Sequence, residues 1–173
     1  ATIDGSTTLN FSLPGRYDAF GYTCSIVDLP FEQAANVVPV SGDDAWGAIS
    51  LPFPFVFYGE TYNSGWVCTN GIVGFGSAGS CPFSNSGIPS TGAPNAAIYP
   101  FWDDLMVDGS ASIRSELKGE APNRRFVIEF RNATFFGASS NRVDFNVVLY
   151  ENGQILMQYE NLDDARERGN SAT

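Results

Sequence analysis

The sequence predicts an all-β fold, an antiparallel β-sandwich of jelly-roll-like topology, on three observations. Apolar side chains recur with period two in short runs, and no segment sustains the 3.6-residue period of an amphipathic helix. Aromatic residues reach 14%, with 14 Phe, 7 Tyr and 3 Trp, and such side chains suit a pleated, half-buried surface. The 18 Gly and 10 Pro break those runs into short strands and turns. A hydrophobic content of 43% over 173 residues is enough for a packed core, so residues 1–173 read as a single domain.

The elements follow in order. In residues 8–13, Leu9, Phe11 and Leu13 share one face, and Pro14-Gly15 ends the run. Residues 16–45 read as irregular. Residues 46–58 are apolar but carry Pro52 and Pro54, which donate no ladder hydrogen bond and so predict an edge or bulged strand. Residues 66–69 and 72–75 flank Asn70-Gly71, a type I′ hairpin signal. Residues 76–95 form a Gly/Ser/Pro/Asn loop. Residues 97–102 are apolar and lead into Asp103-Asp104, and residues 112–117 read as a moderate strand. Phe126, Ile128 and Phe130 mark a strong strand over 125–131. Val143, Phe145, Val147 and Leu149 face Ile155, Met157 and Tyr159 across an Asn152-Gly153 turn. Residues 161–173 are a polar terminal loop with no final strand, which predicts that terminal strands are missing.

The charge pattern excludes some functions. Nine basic and 19 acidic residues leave a net charge of −10, which disfavours phosphate backbones and anionic lipid as partners. No apolar run approaches the roughly 18 residues of a membrane span. The chain contains no His, so Ser-His-Asp and Cys-His catalysis and the usual zinc sites have no imidazole to work with. The chain therefore reads as no classical enzyme.

Cys68 and Cys81 bracket the Gly/Ser-rich loop and are expected to close it as a disulfide, although one sequence fixes no connectivity. Cys24 is then left over, either as a buried thiol or as the partner of a cysteine elsewhere. Asn10-Phe-Ser and Asn132-Ala-Thr match the glycosylation sequon. Such features fit an extracellular, secreted or cell-surface protein.

Several motifs together carry a family resemblance. They are Leu51-Pro-Phe-Pro-Phe-Val-Phe-Tyr-Gly59 with Tyr62, Val67-x-Thr-Asn-Gly71-Ile-Val-Gly-Phe75, Ala97-x-Tyr-Pro-Phe-Trp-Asp-Asp104, Arg124-Arg-Phe-Val-Ile-Glu-Phe130 and Phe145-x-Val-Val-Leu-Tyr-Glu-x-Gly153-x-Ile155. The ordered set, over about residues 20–173, resembles a β-sandwich module of secreted bacterial proteins, often appended to hydrolases and loosely akin to nidogen-like extracellular domains. The resemblance implies an accessory, adhesive or targeting module with no catalytic residues. It also implies a further strand after Thr173, supplied by the same precursor or by another subunit.

Three candidate sites remain. Asp43, Asp44, Asp103, Asp104 and Asp108 lie at predicted strand ends, where loop carboxylates would suit calcium. The bland alternative is solvated or turn-capping aspartates. Trp46, Trp66 and Trp102, with Tyr58, Tyr62 and Tyr99, are candidates for a sugar-stacking surface, against a plain core role. A carboxylate hydrolase needs two acids converging on one bond. Adjacent Asp103 and Asp104 point to opposite faces of a strand, so a partner such as Glu129 would be required. The leading function is a non-catalytic extracellular module that binds a protein or glycan surface, with an open sheet edge that takes a foreign strand. The alternatives are a calcium-dependent glycan-binding module and a carboxylate hydrolase.

Overall fold

Two antiparallel sheets face each other across an aromatic core. The structure, a computed structural model, describes residues 18–77, 79–163, 165–169 and 171–172; the strand expected over 8–13 and the Asn10 sequon lie outside them. Among the described residues there are eleven strands and no helix, as the period-two pattern predicts. Accordingly, among the described residues no helix is long and apolar enough to cross a membrane.

One sheet orders β3 (Trp46–Phe57), β4 (Glu60–Cys68), β5 (Ile72–Phe75) and β6 (Ala97–Ile98). The other orders β1 (Asn36–Val37), β8 (Ser112–Lys118), β9 (Arg125–Phe135), β10 (Ala138–Tyr150) and β11 (Ile155–Glu160). β7 (Leu105–Val107) joins it by pairing with β9 and with β2 (Gly42–Asp43). All pairings are antiparallel. The runs β3–β6 and β8–β11 follow chain order, whereas β1 beside β8 and β2 beside β7 are crossovers. The chain thus starts in the larger sheet, builds the smaller one and returns, and the all-β sandwich is as the sequence predicts. Short turns make sequential neighbours the least costly partners.

The prolines act as expected. β3 is an edge strand, and its register with β4 shifts between Ser50 and Phe55, across Pro52 and Pro54. Its alternate side chains Ile49, Leu51, Phe53, Phe55 and Phe57 are buried. From the other sheet come Ile113, Phe126, Ile128, Phe130, Val143, Phe145, Val147 and Leu149. Phe145 stacks between Phe130 at 4.5 Å and Phe101 at 5.5 Å.

Residues 18–45, within the stretch read as irregular, are more organised than the sequence suggests. Besides β1 and β2, an extended segment crosses the outer face of β9–β11. Its backbone is held by side chains: Glu129 accepts from the Ala34 N–H at 2.6 Å, Arg131 donates to the Ala34 carbonyl, and Asn146 donates to the Glu32 carbonyl at 2.8 Å. Gln158 accepts from the Glu32 N–H and donates to the Pro30 carbonyl. Ala34 packs on Val127 and Val148. This strap explains why β9 is buried on both faces, a pattern that alternation alone does not predict.

Candidate functional site

Three loops meet at one end of the sandwich, and Asn70 ties them together. The β4–β5 connection is a three-residue loop: Cys68 pairs with Ile72, the Gly71 N–H donates to the Cys68 carbonyl at 3.0 Å, and φ is positive at Gly71 but not at Asn70. The expected type I′ turn, which needs positive φ at both central residues, is therefore not formed. The physical reason is the Asn70 side chain, which is recruited inward and wholly buried. Its Nδ2 donates to Asp44 Oδ1 at 2.7 Å, and its Oδ1 accepts from the Leu105 N–H at 3.0 Å. Next to it, Thr69 donates through its N–H to the Ala45 carbonyl and accepts from the Ala45 N–H through Oγ1. Gly71 is required because a Cβ there would lie 1.9 Å from the Phe101 carbonyl oxygen.

The result is a carboxylate cluster. Oxygens of Asp43, Asp44 and Asp104 lie within 4.8 Å of one another. Asp44 sits in the left-handed region, with φ of 49°, a conformation Asp tolerates better than most residues. Burial, then the charges of Asp43, Asp44 and Asp103, push the Asp104 carboxyl above its ordinary value, while Arg166 opposes the rise.

The other two candidate aspartates lie outside this cluster. Asp103 is buried and turned away, accepting from the Asp104 N–H at 2.8 Å and from the Ser171 hydroxyl. Asp108 is clamped by Arg142 through two bonds of 2.7 and 2.9 Å and caps the Ser110 N–H. The Arg142 bond holds its carboxyl at about 2. Glu129 is saturated by Arg131 and by the strap, which leaves it no reach toward Asp103 or Asp104.

The three tryptophans do not form one surface. Trp66 and Trp102 are buried in a small core with Ile72 and the Cys68–Cys81 disulfide, and Trp102 donates to the Pro82 carbonyl at 2.9 Å. Trp46 alone of the three shows a face, at 45% exposure. The disulfide joins the two cysteines expected, and Cys24 is an exposed thiol rather than a buried one.

Chemically the cluster offers only oxygen donors on loops, the ligand set of hard cations. Asn70 was missed as part of this site because Asn-Gly reads first as a turn signal. Its burial depends on the loops at 43–45 and 103–105, which only the fold brings alongside.

Neither the curated proteins nor the solved structures contain a significant match to this chain. The family model described as "NIDO related" matches residues 21–173. That span includes both sheets, the strap, the disulfide and the aspartate cluster, and the chain belongs to the NIDO-related family.

Proposed function

We propose that this chain is a non-catalytic, extracellular binding module whose open sheet edge takes a strand from elsewhere. Membership of the NIDO-related family and a disulfide support the extracellular placement, since disulfides persist in oxidising compartments. The state of the buried carboxylates supports a non-catalytic role. Glu129, Asp103 and Asp144 each spend their oxygens on structural partners.

One observation carries the binding reading. Tyr159 and Met157 of β11 stand opposite Phe145 and Val147 of β10. The β10 pair is wholly buried, yet Met157 and Tyr159 are 42% and 41% exposed. β11 ends its sheet and carries neither proline nor lysine, the residues that protect an edge from pairing. An added strand would satisfy the outward backbone groups and cover both side chains, as in β-augmentation. The test is sedimentation with thermal melting of the purified chain. We expect self-association or recruitment of an extended peptide, lost on Met157→Lys. A monomer that melts cooperatively and recruits no strand at any concentration refutes the reading.

A second reading, calcium binding at Asp43, Asp44 and Asp104, is favoured by the convergence of their oxygens and by the burial and mutual repulsion that together raise Asp104. A divalent cation would replace that repulsion with attraction. A melting temperature that rises with calcium and falls back on chelation supports this reading.

A further inference from the structure

At the far end of the β3–β4 hairpin, away from the aspartate cluster, a cleft of about 460 Å³ opens between the hairpin tip and the loop at 86–96. Phe57, Tyr58, Tyr62, Tyr99 and Trp102 line it, together with Glu60. The tip is a two-residue turn with φ of 48° at Tyr58 and 84° at Gly59, the geometry of type I′. A bulky aromatic residue at positive φ is uncommon. Contacts hold it there: the Tyr58 ring packs edge-on against Phe57 at 4.7 Å and Phe20 at 5.1 Å, and against Tyr22 at 4.9 Å. Ala96, on the opposite wall, also has positive φ, at 51°.

What the cleft offers a ligand follows from which groups are already engaged. The Tyr58 hydroxyl bonds Asp18 and the Tyr99 hydroxyl bonds the Pro94 carbonyl. Ser90 Oγ accepts from the Gly92 N–H, and Asn95 donates to the Thr91 carbonyl. Most neutral polar groups therefore serve the loop and the hairpin themselves. Ring faces and the Glu60 carboxylate are left. The Glu60 side chain makes no hydrogen bond or ion pair among the described residues. No lining residue is basic, and the chain carries a net charge of −10.

Rings with electron-rich faces, one unpaired carboxylate and no competing cation make an environment for a positive group. Hydroxyl-rich sugars need free donors and acceptors that this wall has mostly committed. We propose that the cleft takes an arginine or lysine side chain presented by a partner polypeptide, with Glu60 as its counter-charge and Tyr58 as its ring wall. The volume suits two or three residues rather than a bare ammonium ion. The site is separate from the β11 edge and from the aspartate cluster, so it stands or falls independently of both readings above.

The test is an NMR titration of the 173-residue chain with the blocked tripeptide acetyl-Gly-Arg-Gly-amide, with its Gly-Gln-Gly counterpart and cellotetraose as parallel probes. We expect the arginine peptide alone to move the amide signals of residues 57–62 and 86–97, with affinity that falls as salt is raised. Glu60→Gln is expected to weaken binding about threefold or more. Tyr58→Asn removes the ring while retaining a residue that tolerates the left-handed turn, and is expected to weaken it by a similar factor. A Glu120→Gln control, in the exposed turn between β8 and β9, should leave affinity unchanged. Equal shifts with the glutamine peptide, shifts with cellotetraose alone, shifts mapping elsewhere, or full affinity in Tyr58→Asn with an intact spectrum would each overturn the proposal.

Discussion

Asn70 Nδ2 donates to Asp44 Oδ1 at 2.7 Å from a position with no solvent exposure. Through this bond a hairpin turn positions a carboxylate cluster, because the same amide also holds the Leu105 N–H. Asn70→Ala removes one of the two acceptors of the buried Leu105 N–H, which also donates to the Asp103 carbonyl, and frees the Asp44 loop. We expect a loss of about 2–3 kcal/mol in urea unfolding. Asn70→Asp keeps an acceptor for Leu105 but adds a fourth carboxylate. It should be destabilised at pH 7 and partly recover on adding calcium.

Asp104 provides a pH test. Its carboxyl is raised by burial and by Asp43, Asp44 and Asp103, so the proton is held more tightly in the folded state than in the unfolded one. Its contribution is most favourable in acid and is lost as pH rises through the raised value. At pH 7 without metal, Asp104→Asn should therefore melt higher than the parent, by no more than about 1 kcal/mol for so accessible a group. Below the ordinary aspartate value the two should converge. With millimolar calcium the order should reverse; a variant that gains as much from calcium as the parent refutes the metal reading.

Asp108 has the opposite sign. Arg142 holds its carboxyl at about 2, below the unfolded value near 3.8. The stability it contributes is fully present above the unfolded value and is lost as pH falls toward 2. Asp108→Asn should cost about 1–2 kcal/mol at pH 7. It should also flatten the acid limb of the stability curve between pH 4 and 2, as followed by circular dichroism.

Gly74 tests the small core outside the main one. A Cβ there would lie 2.0 Å from two atoms of the Trp66 indole, and Trp66 is buried with the disulfide. Gly74→Ala should cost about 2–3 kcal/mol through overpacking. Gly109 has nothing within 4 Å of the equivalent point, so Gly109→Ala should stay within about 0.5 kcal/mol. Differential scanning calorimetry of both variants makes the comparison.

Much of this molecule is decided locally. Alternation placed Phe126, Ile128 and Phe130, and Phe145, Val147 and Leu149, on inward faces, because side-chain direction in a strand reverses at every residue. Pro52 and Pro54 marked an edge because they cannot donate. Cys68 and Cys81 bracketed the loop they close. Such features need only the chain's own geometry and its nearest neighbours.

Tertiary contact decided the rest. Asn70 changed from a turn residue to the organiser of three loops, and Asp43, Asp44 and Asp104 came together while Asp103 and Asp108 found partners of their own. Trp66 and Trp102 went inside, and polar Glu129, Asn146 and Gln158 grip the strap. Each of these outcomes depends on hydrogen bonds and packing between segments tens of residues apart. No local period encodes such pairings, since they arise only when folding brings those segments into contact.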